Sequence, residues 1–335
     1  MRWLGLDIGG ANVKLADGSG YAESQPFALW QRPDDLGQTL RTLIAQAPPY
    51  DQMAVTMTGE LADCFQNKTE GVQRILDAVE HAVEGRPTRV YLTRGVLAPV
   101  SAARECAAEV AAANWHAVAR FSGRFAPTGS AILIDVGSTT CDLIPLSDGR
   151  PCATGMNDTE RLLKGELIYS GVTRTPICGL VSHMLWRGAP CPIALEWFAT
   201  TRDVYILTND LPEDPSDTNT ADGQTATKDA AQTRLARLIC ADTLSRAEAV
   251  ISAQAIAATH TNQIADGIRQ IVDQMAQPPG TVIVSGDGEF LARRALDVVQ
   301  LGANVVSLKD QLGENISRCA PAHAVAVLAR EDETA

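Results

Sequence analysis

One motif occurs twice in this chain, and that repeat limits the possible folds more than any other feature. LGLDIGGANVKLADG runs from Leu4 to Gly18, and AILIDVGSTTCDLIPLSDG runs from Ala131 to Gly149. Placing Asp7 on Asp135 sets Gly9 on Gly137, Gly10 on Ser138, Asn12 on Thr140 and Leu15 on Leu143. Each copy reads as an apolar strand, an aspartate, a turn of glycine and small residues, then a second alternating strand. An Asp-x-Gly turn by itself is common. Two with the same flanks, each opening a long segment, predict a duplicated unit.

The remaining elements fit around that repeat. Leu4 to Ile8, Asn12 to Ala16 and Tyr21 to Trp30 read as strands, followed by a helix from Leu36 to Gln46 capped by Asp34 or Asp35. Met53 to Met57 is a strand ending at Thr58-Gly59-Glu60, and Gly71 to Val83 is an amphipathic helix. Arg89 to Leu92 is a strand, and Ala102 to Ala113 an alanine-rich helix. Glycine and proline punctuation between Phe121 and Ser130 marks a domain junction. The expected first domain is therefore 1–125 and the second 126–335, with lid insertions near 151–180 and 209–232. The C-terminal helix is expected to return to the first domain. Near the end, Thr281 to Ser285 is a strand, Gly286-Asp287-Gly288 a turn and Glu289 to Val299 a helix, an arrangement that can present amides to an anion.

Composition excludes some partners. The chain has 335 residues and a formal charge of −12, so it lacks the basic excess that nucleic-acid binding needs. No run of about 18 apolar residues suggests a membrane span. The eight cysteines form no CxxC and no Cys/His cluster, and read as buried thiols of a reducing cytoplasm.

Two glycine turns, each preceded by a carboxylate, suit a metal-bound polyphosphate. Glycine lets backbone amides approach phosphate oxygens, while Asp7 and Asp135 need a cation between them and the phosphate, best Mg²⁺. Gly9, Gly10, Asn12, Gly137, Ser138, Thr139 and Thr140 are the expected phosphate contacts, with Lys14 as a point charge and Gly286 and Gly288 as a nucleotide-type turn. Glu60 is the candidate general base. Lone His183 and His260 read as structural.

These features resemble the actin/Hsp70/sugar-kinase superfamily, and within it the hydantoinase/oxoprolinase-related branch. LGLDIGGANVKLA is similar to its first phosphate loop, ILIDVGSTTCDLI to its second and VIVSGDGEF to its adenosine loop. The resemblance implies an α/β fold of two ribonuclease-H-like domains facing each other across a cleft. Three longer stretches, Met57 to Val72, Thr159 to Leu180 and Pro212 to Asp242, resemble a small family linked to tetrahydromethanopterin-dependent one-carbon transfer. Its archaeal members are methanofuran synthases. They join an aminomethylfuran-methanol diphosphate to the phenol of γ-glutamyltyramine, forming an aryl ether and releasing pyrophosphate; bacterial carriers can use a tyrosine-type analogue. The resemblance implies a leaving diphosphate held by both loops and Mg²⁺, with Lys164, Glu166, Tyr169, Arg174 and Thr175 closing over it. Lys164 and Glu166 join Glu60 as the expected catalytic residues, and Arg174 joins the diphosphate contacts. An ATP-dependent kinase, an oxoprolinase-like hydrolase and a non-catalytic nucleotide scaffold stay open at this point, as does a homodimer.

Overall fold

The structure, a computed structural model, describes residues 1–334. Its first sheet contains β1 (Trp3–Ile8), β2 (Asn12–Ala16), β3 (Ala22–Pro26), β4 (Gln52–Met57), β5 (Thr88–Tyr91) and β6 (Leu97–Pro99), in the order β3-β2-β1-β4-β5-β6. The second contains β7 (Ser130–Val136), β8 (Cys141–Ser147), a short β9 (Arg150–Pro151) beside β8, β10 (Leu167–Ile168), β13 (Thr281–Ser285) and β14 (Asn304–Ser307). Its order is β10-β8-β7-β13-β14. A separate hairpin joins β11 (His183–Trp186) to β12 (Ala189–Pro192).

The two sheets repeat one topology. In each, the leading strand is antiparallel to the next and parallel to a later one, β1 to β4 and β7 to β13. This is the ribonuclease-H-like order, twice. The register carries the repeat down to single residues: Asp7 lies opposite Lys14 on β2, and Asp135 opposite Asp142 on β8. Parallel pairing explains the composition of both leading strands, because a strand covered on both faces needs an unbroken apolar run. All six residues of β1 are buried, Asp7 included.

Two helices lie between the sheets. Asn114–Ser122 turns Ala117 and Phe121 toward a cluster with Trp3, Ala54 and Tyr91 of the first sheet, and Trp115, Val118 and Ala119 toward Leu133, Ile144 and Ile283 of the second. The last helix, Ala320–Thr334, crosses back onto β1. It approaches so closely that a Cβ on Gly5 would lie 1.9 Å from the Ala322 carbonyl oxygen, so only glycine fits there.

Several expected boundaries shift for identifiable reasons. The Lys68–Val83 helix begins one turn before Gly71, because Asn67 caps it by accepting from the Glu70 amide while its apolar face starts only at Val72. Asp35 occupies the N-cap of Leu36–Ala45 but makes no capping bond. The alanine-rich stretch is not one helix. It breaks at Cys106 into Val100–Glu105 and Ala107–Val110, then passes through Ala112 at φ 50°. Phe121 and Ser122, expected in a junction, close the helix that follows. The polar tract 209–232 is ordered by ion pairs from Arg202 to Asp217 and from Arg234 and Arg237 to Asp222. None of its residues lines the cleft. The cysteines are free thiols, but only Cys141 and Cys319 are fully buried; Cys152 and Cys240 are exposed. Among the described residues, no helix is long and apolar enough to cross a membrane.

Candidate active site

The carboxyl ends of β1 and β7 open into one cleft of about 480 Å³. Two matching turns form its floor. The Gly9 amide donates to the Asn12 carbonyl at 2.9 Å, and the Gly137 amide to the Thr140 carbonyl at 2.9 Å. Behind the first turn, the Gly10 and Ala11 carbonyls accept from Leu29 and Phe27. Behind the second, the Gly137 carbonyl accepts from Val172, and the Ser138 carbonyl from Thr173 and Arg174. Among the described residues, the N–H groups of Gly10, Ala11, Ser138 and Thr139 find no acceptor. Each loop thus spends its carbonyls on its own half and keeps its donors for a ligand. Gly9, Gly10 and Gly137 do not have positive φ, so they serve access rather than an unusual backbone; a Cβ on Gly10 would meet nothing within 4 Å.

The two aspartates face this floor in different surroundings. Asp7 is 3% exposed, and its Oδ1 has no hydrogen-bond partner. Burial raises its pKa to about 6, partly offset by Lys14. Asp135 rises to about 7 through burial and then through Asp142, again offset by Lys14. The same ammonium therefore acts on both carboxylates. A buried carboxylate oxygen without a donor is satisfied by a proton or a cation, and Asp7 Oδ1 calls for one.

Glu60 follows β4 and is 1% exposed, with Oε2 unpartnered. Burial lifts it to about 7; Lys68 and the backbone amides of Glu60 and Ala112 lower it, and Asp158 raises it. Ala112, in the left-handed region beside it, stores the kind of backbone strain found at functional sites. Arg161 is 1% exposed, stacks 4.2 Å over Trp115, and donates to Asp142 at 2.5 Å. The halves meet across the cleft at two points. Lys68 Nζ lies 2.5 Å from Asp158 Oδ2, and the Arg174 guanidinium sits 4.8 Å over the Trp30 ring.

The structure gathers Asp7, Gly9, Gly10, Asn12, Lys14, Glu60, Asp135, Gly137, Ser138, Thr139, Thr140, Arg174 and Gly286 around this cleft. Other expected residues sit elsewhere. Gly288 packs against Val136 and donates to its carbonyl, which accounts for a glycine there by close strand-to-helix contact. Lys164 is exposed at the end of Asp158–Lys164 and does not line the cleft. The Glu166 carboxylate is buried and fully engaged, accepting from the Thr154 and Gly155 amides and the Thr154 hydroxyl. It holds a loop and has no free oxygen to offer a substrate. Thr175 is used locally, its Oγ1 accepting from the Gly171 amide. His260 is buried between Ser170 and Tyr205, and His183 pairs with Ser182 on the surface, as expected for structural histidines.

A family model for hydantoinase/oxoprolinase matches residues 51–331. The chain belongs to that family. It is also 34% identical to the (4-{4-[2-(gamma-L-glutamylamino)ethyl]phenoxymethyl}furan-2-yl)methanamine synthase of Methanocaldococcus jannaschii, over 97% of this chain and 96% of the relative. The Methanococcus vannielii synthase of the same name is 30% identical over 61% of this chain and 92% of its own length. Among solved structures, nucleotide-free acetone carboxylase aligns with 97% of this chain and 70% of its own at a TM-score of 0.56 and 10% identity. A PilM–PilN type IV pilus biogenesis complex aligns with 98% of each chain at 0.51 and 12% identity. Both share the mixed α/β fold. Within this family member, sequence reading overlooked Lys68, Asp158, Arg161, Asp142 and Ala112. Lys68 and Asp158 each follow an asparagine N-cap with an acidic residue at the third helical position, a readable signal. The strain at Ala112 left no such trace.

Proposed function

We propose that this protein is a transferase of methanofuran-type cofactor biosynthesis. It condenses an aminomethylfuran-methanol diphosphate with the phenol of γ-glutamyltyramine, or a tyrosine-type analogue, and releases pyrophosphate. The observation that carries this reading is the near end-to-end match to the furanylmethanamine synthase, 97% of this chain against 96% of the relative.

The cleft supplies groups for each part of that reaction. The free amides of Gly10, Ala11, Ser138 and Thr139 suit the diphosphate oxygens, with Lys14 as a nearby point charge. The Asp7 and Asp135 carboxylates are the groups that would hold Mg²⁺. Two hard oxygen donors, one unpartnered, suit an ion that keeps waters and takes phosphate oxygens as further ligands. When bound, the ion would neutralise charge on the leaving diphosphate. Trp30, Leu61 and Tyr169 offer flat apolar surface to the furan and phenol rings. As the furanylmethyl carbon–oxygen bond breaks, its electron pair leaves with pyrophosphate and the ring delocalises the resulting positive charge. The phenol oxygen then bonds to that carbon, and its proton passes to the Glu60 carboxylate, whose proton affinity near neutrality suits a general base. The protein is thus read as working mainly by charge stabilisation and positioning.

Purified protein incubated with Mg²⁺, the furan diphosphate and γ-glutamyltyramine should form the ether and release pyrophosphate in equal amounts. A parallel reaction with ATP and no furan diphosphate should release little phosphate. ATP turnover without ether formation would overturn the reading in favour of an ATP-dependent enzyme.

A further inference from the structure

Lys68 is ion-paired with Asp158 of the opposite half and acts electrostatically on Glu60 of its own. Lys68 and Asp158 are the first helical residues after the N-caps Asn67 and Asn157, each of which accepts from the amide three residues on. These matching caps fix the origin of both side chains. Their ends meet at 2.5 Å, one-third exposed for Lys68 and 17% for Asp158. The Lys68–Val83 helix also packs on the Glu60 backbone, so tightly that a Cβ on Gly71 would lie 2.2 Å from the Glu60 carbonyl oxygen. Lys68 and Asp158 are the charged side chains with the main effect on Glu60, and their effects are opposite. Tyr169 is the next titratable group, set among Asp158, Arg174, Glu60 and Lys68. In the structure Lys68 is committed to Asp158, while Glu60 Oε2 has no partner.

We infer that Lys68 couples cleft closure to general-base catalysis, pairing with Glu60 when the halves are apart and passing to Asp158 when they close. The inference rests on the reading of Glu60 as the base. An ion-paired Glu60 holds its negative charge cheaply and takes a proton poorly. Once Lys68 moves to Asp158, the buried carboxylate is left unpaired and accepts the phenolic proton readily. The base therefore becomes active only when substrate has closed the cleft and excluded water. Lys68 and Asp158 are positioning residues; neither exchanges a proton with substrate.

The test compares Lys68→Met, Asp158→Asn and the double variant in the full-length protein. Two readouts are followed, both in the closed state: the pH profile of kcat for ether formation, and the ¹³C NMR titration of the Glu60 carboxyl with Mg²⁺ and pyrophosphate bound. Asp158→Asn frees Lys68 for Glu60, so the acidic limb and the NMR midpoint should move to lower pH by about one unit or more. Lys68→Met should move both to higher pH by a similar amount, and the double variant should return toward wild type. A merely structural pair would lower activity without opposite displacements. Unchanged midpoints, or displacements in one direction for both single variants, would overturn the inference. Absence of ether from the wild type would instead sink the functional reading, and the NMR midpoints would still report on the lysine.

Discussion

Asp7 is held in the fold at a cost. Its folded pKa of about 6 exceeds the unfolded value near 4, so the folded state binds the proton more tightly. The same sign holds for Asp135 and Glu60, each at about 7. These groups therefore favour folding in acid. Their penalty is full above about pH 7, shrinks as pH falls through the folded values, and is gone below about 4. Without ligand, Asp7→Asn should stabilise the protein at pH 8 by about 2–3 kcal/mol, measured by urea unfolding. The same variant, and Asp135→Asn, should lose about a hundredfold or more in kcat, as removal of a main electrostatic contact does. A stable, active Asp7→Asn enzyme would show that the carboxylate only braces its turn. Both aspartates were legible in the sequence because the motif is duplicated. Glu60 was legible from its place at a strand end, but Lys164 and Glu166 were misplaced. Their segment does form a cleft wall, yet it turns Asp158, Arg161, Tyr169 and Arg174 inward, and spacing along the chain does not reveal which way a short helix faces.

At the scale of elements, the two β-hairpins hold each aspartate one strand away from its cross-strand partner, Lys14 or Asp142. The strands around them were readable because the parallel sheets require continuous apolar runs, and Asn12–Ala16, Thr281–Ser285 and Glu289–Val299 fell where the pattern put them. The segment from Ala102 to Phe121 was not readable. Alanine favours helix everywhere within it, so neither the breaks at Cys106 and Ala112 nor the Asn114 start stands out in its composition. The return of the final helix to the first domain was expected, but which strand it meets was not, since the contact joins residues more than 300 positions apart. It makes a clear prediction. Gly5→Ala forces a Cβ into the Ala322 carbonyl and should destabilise the protein by about 1–3 kcal/mol or more, seen as a lower urea midpoint with an unchanged slope. No loss of stability would mean that the last helix sits farther from β1.

Across the whole molecule, a duplicated sheet encloses a cleft whose floor comes from both halves and whose rim is bridged by Lys68–Asp158 and Trp30–Arg174. A ligand spanning the floor stabilises both halves at once. Mg²⁺ with pyrophosphate, at about a hundred times its dissociation constant, should stabilise the protein by about 2.7 kcal/mol in a thermal-shift experiment, and Mg²⁺ alone by much less. Equal shifts from both would show that the loops do not share a diphosphate. The central claim is that the diphosphate leaves from carbon and is not passed on as a phosphoryl group. The most direct test uses a furan diphosphate carrying ¹⁸O in the bridge between carbon and phosphorus, with mass spectrometry of both products. The label should appear wholly in the released pyrophosphate, with the ether oxygen supplied by the unlabelled phenol. Label retained on the furan product, or phosphate found on the acceptor, would contradict the account.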